Sequence, residues 1–446
     1  MNQTEMMSST ATLVNEDFSV ANLKLEGALK VVEVEAPPTP DSQSAGAEAK
    51  PATVNPFDYV GEVLGAGPGA DYPHADFLPY NPPRSESDPP LPFYNIEDRG
   101  HHADPNAARL RTFVEARGGK VKDLLVAIGT VIEGDNVKLE DLGQDERDDL
   151  QMLMAYRALL VAQRGVVFFR NQHTLTVEKQ RELGQHFGPL HKHATYAVPR
   201  RGDLDDVVVV YADRDSRPDL YAFSRAELFH SDVTYEVQPP GTTILRLLTA
   251  PSVGNDTLWS SGYAVYSSLS KPFQEYLESL SAIHSGFEQA SSRTGFARVP
   301  RREPIETIHP VVRVHPVTGL KSVFVNPGFV ARLVGVPKAE SDLVLSFLKD
   351  CFAQQTDGTV RWSWQEGDVA IWDNRVCNHS ATFDAYPSLR HGLRVTPHGE
   401  KPLSVQEYEE IYQKPGKDWL DERFKTLGIT GPAKDDGKSK KRAFRD

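Results

Sequence analysis

Apolar positions recur at two spacings in this chain, and they begin only after about a quarter of its length. From about residue 121 short β-branched and aromatic runs alternate with stretches of helical period. Strands are predicted at 128–132 and 166–170, the latter buried by its Val166-Val167-Phe168-Phe169 run. A helix is predicted over 145–163, where Leu150, Leu153, Met154, Leu160 and Val161 fall near helical spacing, with Gly165 ending it. A second helix is expected from Thr176, a suitable N-cap, to Phe187, before Gly188-Pro189 breaks the chain. Further strands are predicted at 207–211, 242–248, 311–314, 360–364, 369–372 and 392–396. Helical inserts are predicted at 263–280 and 338–353. Many short strands with irregular loops predict a mainly β protein with helical inserts, a double-sheet jelly roll.

The flanks read differently. Residues 1–105 hold 14 of the 32 prolines and little periodicity. Residues 1–75 are expected to be a disordered N-terminal extension, and 76–120 an extended lead-in packed on the core, carrying Phe77, Tyr80, Phe93 and Tyr94. The jelly-roll domain is expected over 121–412, with a helical stretch after Pro402. Residues 413–446 are expected to be a polar, Lys-rich tail.

Composition narrows the function. The chain has 446 residues and a net charge of −13, which does not suit a nucleic-acid partner; an anionic substrate would have to be captured by local arginines. Cys351 and Cys377 make no disulfide framework, which suits a reducing compartment. No secretory signal, no apolar run near the ~18 residues of a membrane span, and no terminal sorting signal is seen. The expected location is therefore cytoplasmic, with no membrane partner; self-association into a homo-oligomer stays open.

The chemistry centres on Phe229-His230-Ser231-Asp232-Val233-Thr234-Tyr235. In a strand, His230 and Asp232 would point to one face. A third metal ligand is expected from His379, in Trp372-Asp373-Asn374-Arg375-Val376-Cys377-Asn378-His379. Two histidines and one carboxylate form the facial triad of non-haem Fe(II) oxygenases. Two other triplets, His74-Ala75-Asp76 and His102-Ala103-Asp104, lie in Pro-rich sequence and are read as decoys. Arg390 and Arg394 bracket Gly392-Leu393; buried guanidinium groups need an anion, and their planar fork suits carboxylate or sulfonate oxygens. His193, in His191-Lys192-His193, reads either as a polar pocket wall or as part of a surface loop. Cys377 reads as packing and Asp384 as a turn residue. Phosphate-loop, Rossmann and nucleophile-elbow motifs are absent.

Taken together, these motifs resemble the taurine dioxygenase family of Fe(II)/2-oxoglutarate-dependent oxygenases, in particular its fungal-type sulfonate dioxygenase branch. The resemblance covers about 128–402. It rests on Phe187-Gly188-Pro189-Leu190-His191-Lys192-His193, His230-Ser231-Asp232-Val233-Thr234, Asp256-Thr257-Leu258-Trp259, Phe324-Val325-Asn326-Pro327-Gly328-Phe329, Gly367 through Arg375, and Arg390 with Arg394.

The resemblance implies a double-stranded β-helix, cupin-like in architecture. It implies iron ligation by His230, Asp232 and His379, and capture of the distal carboxylate of 2-oxoglutarate by Thr257 and Arg390. It also implies a substrate pocket lined by His193, Tyr196, Phe329 and Arg394, with O2 as the second cosubstrate. The implied reaction hydroxylates the carbon next to sulfur in a small sulfonate, giving sulfite and an aldehyde with succinate and CO2. One departure bears on taurine: Ala226 stands four residues before His230, where taurine-specific members place asparagine. The rival readings are a same-family oxygenase acting on another small anion, such as an aryloxyacetate, an amino acid or a secondary metabolite, and a non-catalytic jelly-roll binding protein.

Overall fold

The run Val166–Phe169 is apolar at four successive positions, and its place in the fold explains why no polar face is needed. The computed structural model describes residues 62–63, 68–69, 71–82, 90–155, 164–216, 226–291 and 300–429. In chain order its main elements are helix α1 (Ala108–Ala116), strands β1 (Lys120–Asp123) and β2 (Thr130–Glu133), α2 (Gln144–Ala155), β3 (Val166–Phe169) and α3 (Val177–Phe187). There follow β4 (Val208–Ala212), β5 (Thr242–Thr249), β6 (Thr257–Ser261), α4 (Lys338–Gln354), β7 (Thr359–Trp362), β8 (Val369–Asp373), β9 (Cys377–Ala381), β10 (Arg390–Val395) and α5 (Trp419–Thr426).

Seven strands form one sheet in the order β1-β2-β3-β8-β5-β10-β4. All its pairings are antiparallel except β2 with β3. A smaller antiparallel sheet, β7-β6-β9, faces it. Period-2 alternation then sorts the side chains. On β3 and β8, Val166, Phe168, Ala370 and Trp372 point between the sheets, where they meet Trp259 and Trp362. Val167, Phe169, Val369 and Ile371 point outward onto a second cluster built by α1, α2 and α3. The central strands are thus buried on both faces. Phe168 stacks on Trp362 with ring centres 4.1 Å apart. This is the expected mainly β jelly roll with helical inserts.

Several predicted elements shift. The helix expected over 145–163 runs Gln144–Ala155, and 156–163 lie outside the described residues. The helix at 177–187 starts as expected, with the Thr176 hydroxyl accepting from Lys179 N–H at 3.3 Å. The single helix expected over 263–280 is two, Gly262–Ser268 and Lys271–Glu278. Ser270 is extended, and Pro272, in the first turn of the second helix, cannot continue the first.

Order also starts before Val121. Helix α1 buries Leu110, Phe113 and Val114 in the outer cluster, although charged residues mask its short apolar stripe in the sequence. In the lead-in, Phe77 packs on the body and Tyr94 lies 5.0 Å from the His398 ring, whereas Phe93 is 70% exposed. At the other end, residues 419–426 of the expected polar tail form α5, because Trp419 inserts beside Tyr263 and Leu320. Residues 1–61 and 430–446 lie outside the described residues, and with them most of the expected N-terminal extension and the Lys-rich end of the tail. Among the described residues no helix is long and apolar enough to cross a membrane.

Candidate metal centre and its pocket

Strand β9 carries His379 on the inner face of the small sheet, and the chain returns to it at one residue. His230 N–H donates to the His379 carbonyl at 2.9 Å, and His379 N–H donates to the His230 carbonyl at 2.7 Å. The strand expected through His230 and Asp232 is therefore a single bridge. After it the backbone turns, and Val233 takes a positive φ of 38°. That conformation is costly for a β-branched residue and is typical of functional sites. The turn, not a shared strand face, brings the two ligand types together.

His230, Asp232 and His379 each offer one donor atom, and the three atoms lie within 4.8 Å of one another. No other such cluster occurs among the described residues, so neither decoy triplet gathers a third ligand. His230 Nδ1 lies 2.9 Å from the Leu228 carbonyl oxygen, which can only accept, so the ring proton sits there and Nε2 keeps its lone pair. His379 Nε2 faces Asp232 Oδ1 at 3.9 Å. Burial holds both imidazoles below the usual histidine range, so they are neutral. Burial opposes ionisation of Asp232, but the Arg394 charge, helped by the Thr243 hydrogen bond, outweighs it and holds the carboxyl at about 2. Two neutral nitrogens and one carboxylate oxygen on one side of a pocket fit iron(II) with open positions.

Arg394 Nη1 donates to Asp232 Oδ1 at 2.8 Å, its guanidinium lies 5.1 Å over the Tyr196 ring, and its buried Nε has no partner among the described residues. Arg390, 6% exposed, makes no ion pair among the described residues. Its guanidinium lies 5.9 Å over the Trp364 ring. Burial, then the nearby Arg394 cation, lowers its pKa to about 10, so it stays charged at neutral pH. A buried cation without an anion is costly unless a ligand supplies one. The same indole donates to Thr257 Oγ1 at 2.9 Å, which leaves the Thr257 hydroxyl proton free for another acceptor.

His193 is 2% exposed, so it is buried and not part of a surface loop. Its Nδ1 accepts from Thr195 and Tyr196 N–H at 3.2 and 3.3 Å, so the proton sits on Nε2, which has no partner among the described residues. Its ring meets Tyr196 edge-on at 4.5 Å. The Phe329 ring lies edge-on to the His230 ring, with centres 6.3 Å apart. Ala226 falls in a short 3-10 turn, Ala226–Leu228. Cys377 is buried and Asp384 sits in a turn accepting from Asn255 N–H at 2.8 Å, as expected.

Sequence reasoning did not single out Thr243, Asn374 or Trp364. The first two touch Asp232, and the third joins Thr257 to Arg390. Asn374 lies inside a quoted motif, which was a usable signal; Thr243 sits in an ordinary strand and gave none.

The profile of the taurine catabolism dioxygenase TauD, TfdA family matches residues 120–396. A Schizosaccharomyces pombe relative is 40% identical over 309 residues, 69% of this chain and 75% of its own. An alpha-ketoglutarate-dependent sulfonate dioxygenase of Saccharomyces cerevisiae is 36% identical over 343 residues, 74% of this chain and 79% of its own. The crystal structure of a taurine dioxygenase from Burkholderia xenovorans superposes with a TM-score of 0.52 at 29% identity, covering 65% of this chain and 94% of that one. With the fold and the clustered His-Asp-His donors already in place, the chain belongs to the taurine catabolism dioxygenase TauD, TfdA family.

Proposed function

We propose that this protein is an Fe(II)- and 2-oxoglutarate-dependent dioxygenase that hydroxylates the carbon next to sulfur in a small sulfonate. The observation that carries the reading is Arg390, a buried guanidinium without an anion among the described residues, near the three-donor cluster. The sulfonate part draws on the activity named for the yeast relative.

His230, Asp232 and His379 would hold the iron through His230 Nε2, Asp232 Oδ1 and His379 Nε2. When bound, iron(II) with 2-oxoglutarate and O2 supplies the oxidising power that turns a C–H bond into C–OH, releasing succinate and CO2. Arg390 pairs with the distal carboxylate of 2-oxoglutarate, and the free Thr257 hydroxyl proton donates to the same group. Arg394 Nε and His193 Nε2–H, two buried donors lacking partners among the described residues, bind the substrate anion. The Tyr196 ring steadies the Arg394 guanidinium from its face. Phe329 presents an apolar wall that excludes water near His230. In the hydroxylated product the C–S bond breaks, its electron pair leaves with sulfite, and the hydroxyl proton is lost as the aldehyde forms.

The location we propose is cytoplasmic, in keeping with two unpaired cysteines. The test is sulfite release across a panel of small sulfonates and carboxylates, with iron and 2-oxoglutarate supplied. Sulfite from at least one sulfonate is expected. Succinate formation driven only by carboxylates would replace the sulfonate with another small anion.

A further inference from the structure

Behind the Asp232 carboxylate lies a short chain of hydrogen bonds whose directions are all forced. Asn374 Oδ1 accepts from the Trp372 indole N–H at 3.0 Å and from Asp232 N–H at 3.3 Å. Both partners can only donate, so the oxygen of this amide must face them and its nitrogen must face Thr243. Asn374 Nδ2 accordingly donates to Thr243 Oγ1 at 2.8 Å. The Thr243 hydroxyl is an acceptor there, and its single proton goes to Asp232 Oδ2 at 2.7 Å. Asp232 Oδ1 faces His379 Nε2 and accepts from Arg394 Nη1 at 2.8 Å, which leaves its second lone pair on the side of the two imidazoles.

The chain cannot swing. Thr243 is the register partner of Trp372 across β5 and β8, so the large sheet fixes their spacing. Asn374 N–H donates to the Gly241 carbonyl at 3.0 Å, and the Asn374 carbonyl accepts from the Ser231 hydroxyl at 2.7 Å. On either side, Arg375 grips Asp373 by two hydrogen bonds of 2.8 and 2.7 Å and pairs with Asp98 and with Glu400. Thr243 is fully buried and Asn374 2% exposed, so water cannot substitute for either.

We propose that Thr243 and Asn374 are positioning residues that make Asp232 a one-oxygen ligand, presenting Oδ1 to the metal and withholding Oδ2. The inference rests on the metal-site reading above. It assigns to this pair a share of metal affinity, since groups that orient a ligand from behind typically contribute 10–100-fold.

The test is titration of the metal-free protein with cobalt(II), followed by its visible absorption, with thermal melting of the metal-free protein as the folding control. Thr243→Val keeps the shape and removes the hydroxyl; it should bind cobalt(II) about 10–100-fold more weakly. Thr243→Ser, which restores the donor, should return affinity to within a few-fold of wild type. Asn374→Leu should also weaken binding. Because Asn374 Nδ2 sets the direction of the Thr243 hydroxyl, the two losses overlap, and the double variant should fall short of their product, exceeding the worse single one only by what the Asp232 N–H bond to Asn374 Oδ1 adds. Thr243→Ala makes the same comparison if valine is not accommodated. Folded Thr243 variants without the hydroxyl that bind cobalt(II) as wild type does, or losses that multiply in the double variant, would overturn the proposal. The metal-site reading fails separately, if His379→Ala leaves cobalt(II) affinity unchanged.

Discussion

His230 and His379 pair as backbone before their side chains act together: each donates its N–H to the other's carbonyl, at 2.9 and 2.7 Å. This one bridge joins chain segments far apart in sequence and sets the two rings with centres 4.2 Å apart. The expected outcome of His379→Ala is loss of metal binding and of turnover, with a fold that persists, because the bridge uses backbone groups only. Circular dichroism and succinate formation, measured together, check both halves.

Arg390 makes no ion pair among the described residues, and the distal carboxylate of 2-oxoglutarate is the anion we propose for it. Arg390→Met should raise the KM for 2-oxoglutarate by about 10- to 150-fold, the equivalent of a 1.5–3 kcal/mol charge-assisted hydrogen bond. The same change should leave melting of the free protein unchanged or raise it, since an uncompensated buried charge is removed. Lower stability with unchanged KM would assign Arg390 a structural role.

Arg394 should behave differently. Arg394→Ala should raise the KM for the primary substrate while the KM for 2-oxoglutarate moves little. Arg394→Lys should rescue incompletely, because an ammonium cannot reproduce the guanidinium fork over the Tyr196 ring. Steady-state kinetics with each substrate varied in turn separates these outcomes.

Much of this site was readable in the chain. The His-x-Asp triplet, His379 and the two arginines are unusual residue types in apolar surroundings, and their order carried the family resemblance. What joins them was not readable. The turn at Val233 defeats a strand reading of its neighbours. Trp364, Thr243 and Asn374 act across sheets, through contacts that no local period encodes. Helix α1 and Trp419 were missed for a related reason: a short segment with few apolar residues looks like tail until the body it packs on is known.

Trp419 is 6% exposed in the cluster with Tyr263 and Leu320. Trp419→Ala should cost about 3 kcal/mol or more of stability, in the range for removing a large buried aromatic. Urea denaturation checks it, and a change below ~1 kcal/mol would return the segment to a loosely attached tail.

Acid stability should depend on the wall behind His193. Glu236 meets His191 at 3.0 Å and Arg302 at 3.0 Å. Burial opposes its ionisation, but the His191 hydrogen bond and the Arg302 charge prevail and hold the carboxyl at about 2. A depressed carboxylate contributes stability that is present above its unfolded value and lost as pH falls toward the folded one. Glu236→Gln should therefore destabilise clearly near neutral pH, and its deficit should shrink below about pH 4. Urea midpoints of both proteins across that range give the comparison; a deficit constant with pH would contradict it.

The most direct test of the whole account is the ratio of sulfite to succinate formed by the wild-type protein on its best sulfonate. One sulfite for each substrate-dependent succinate is the predicted result. Succinate without sulfite on every sulfonate tried would contradict the account.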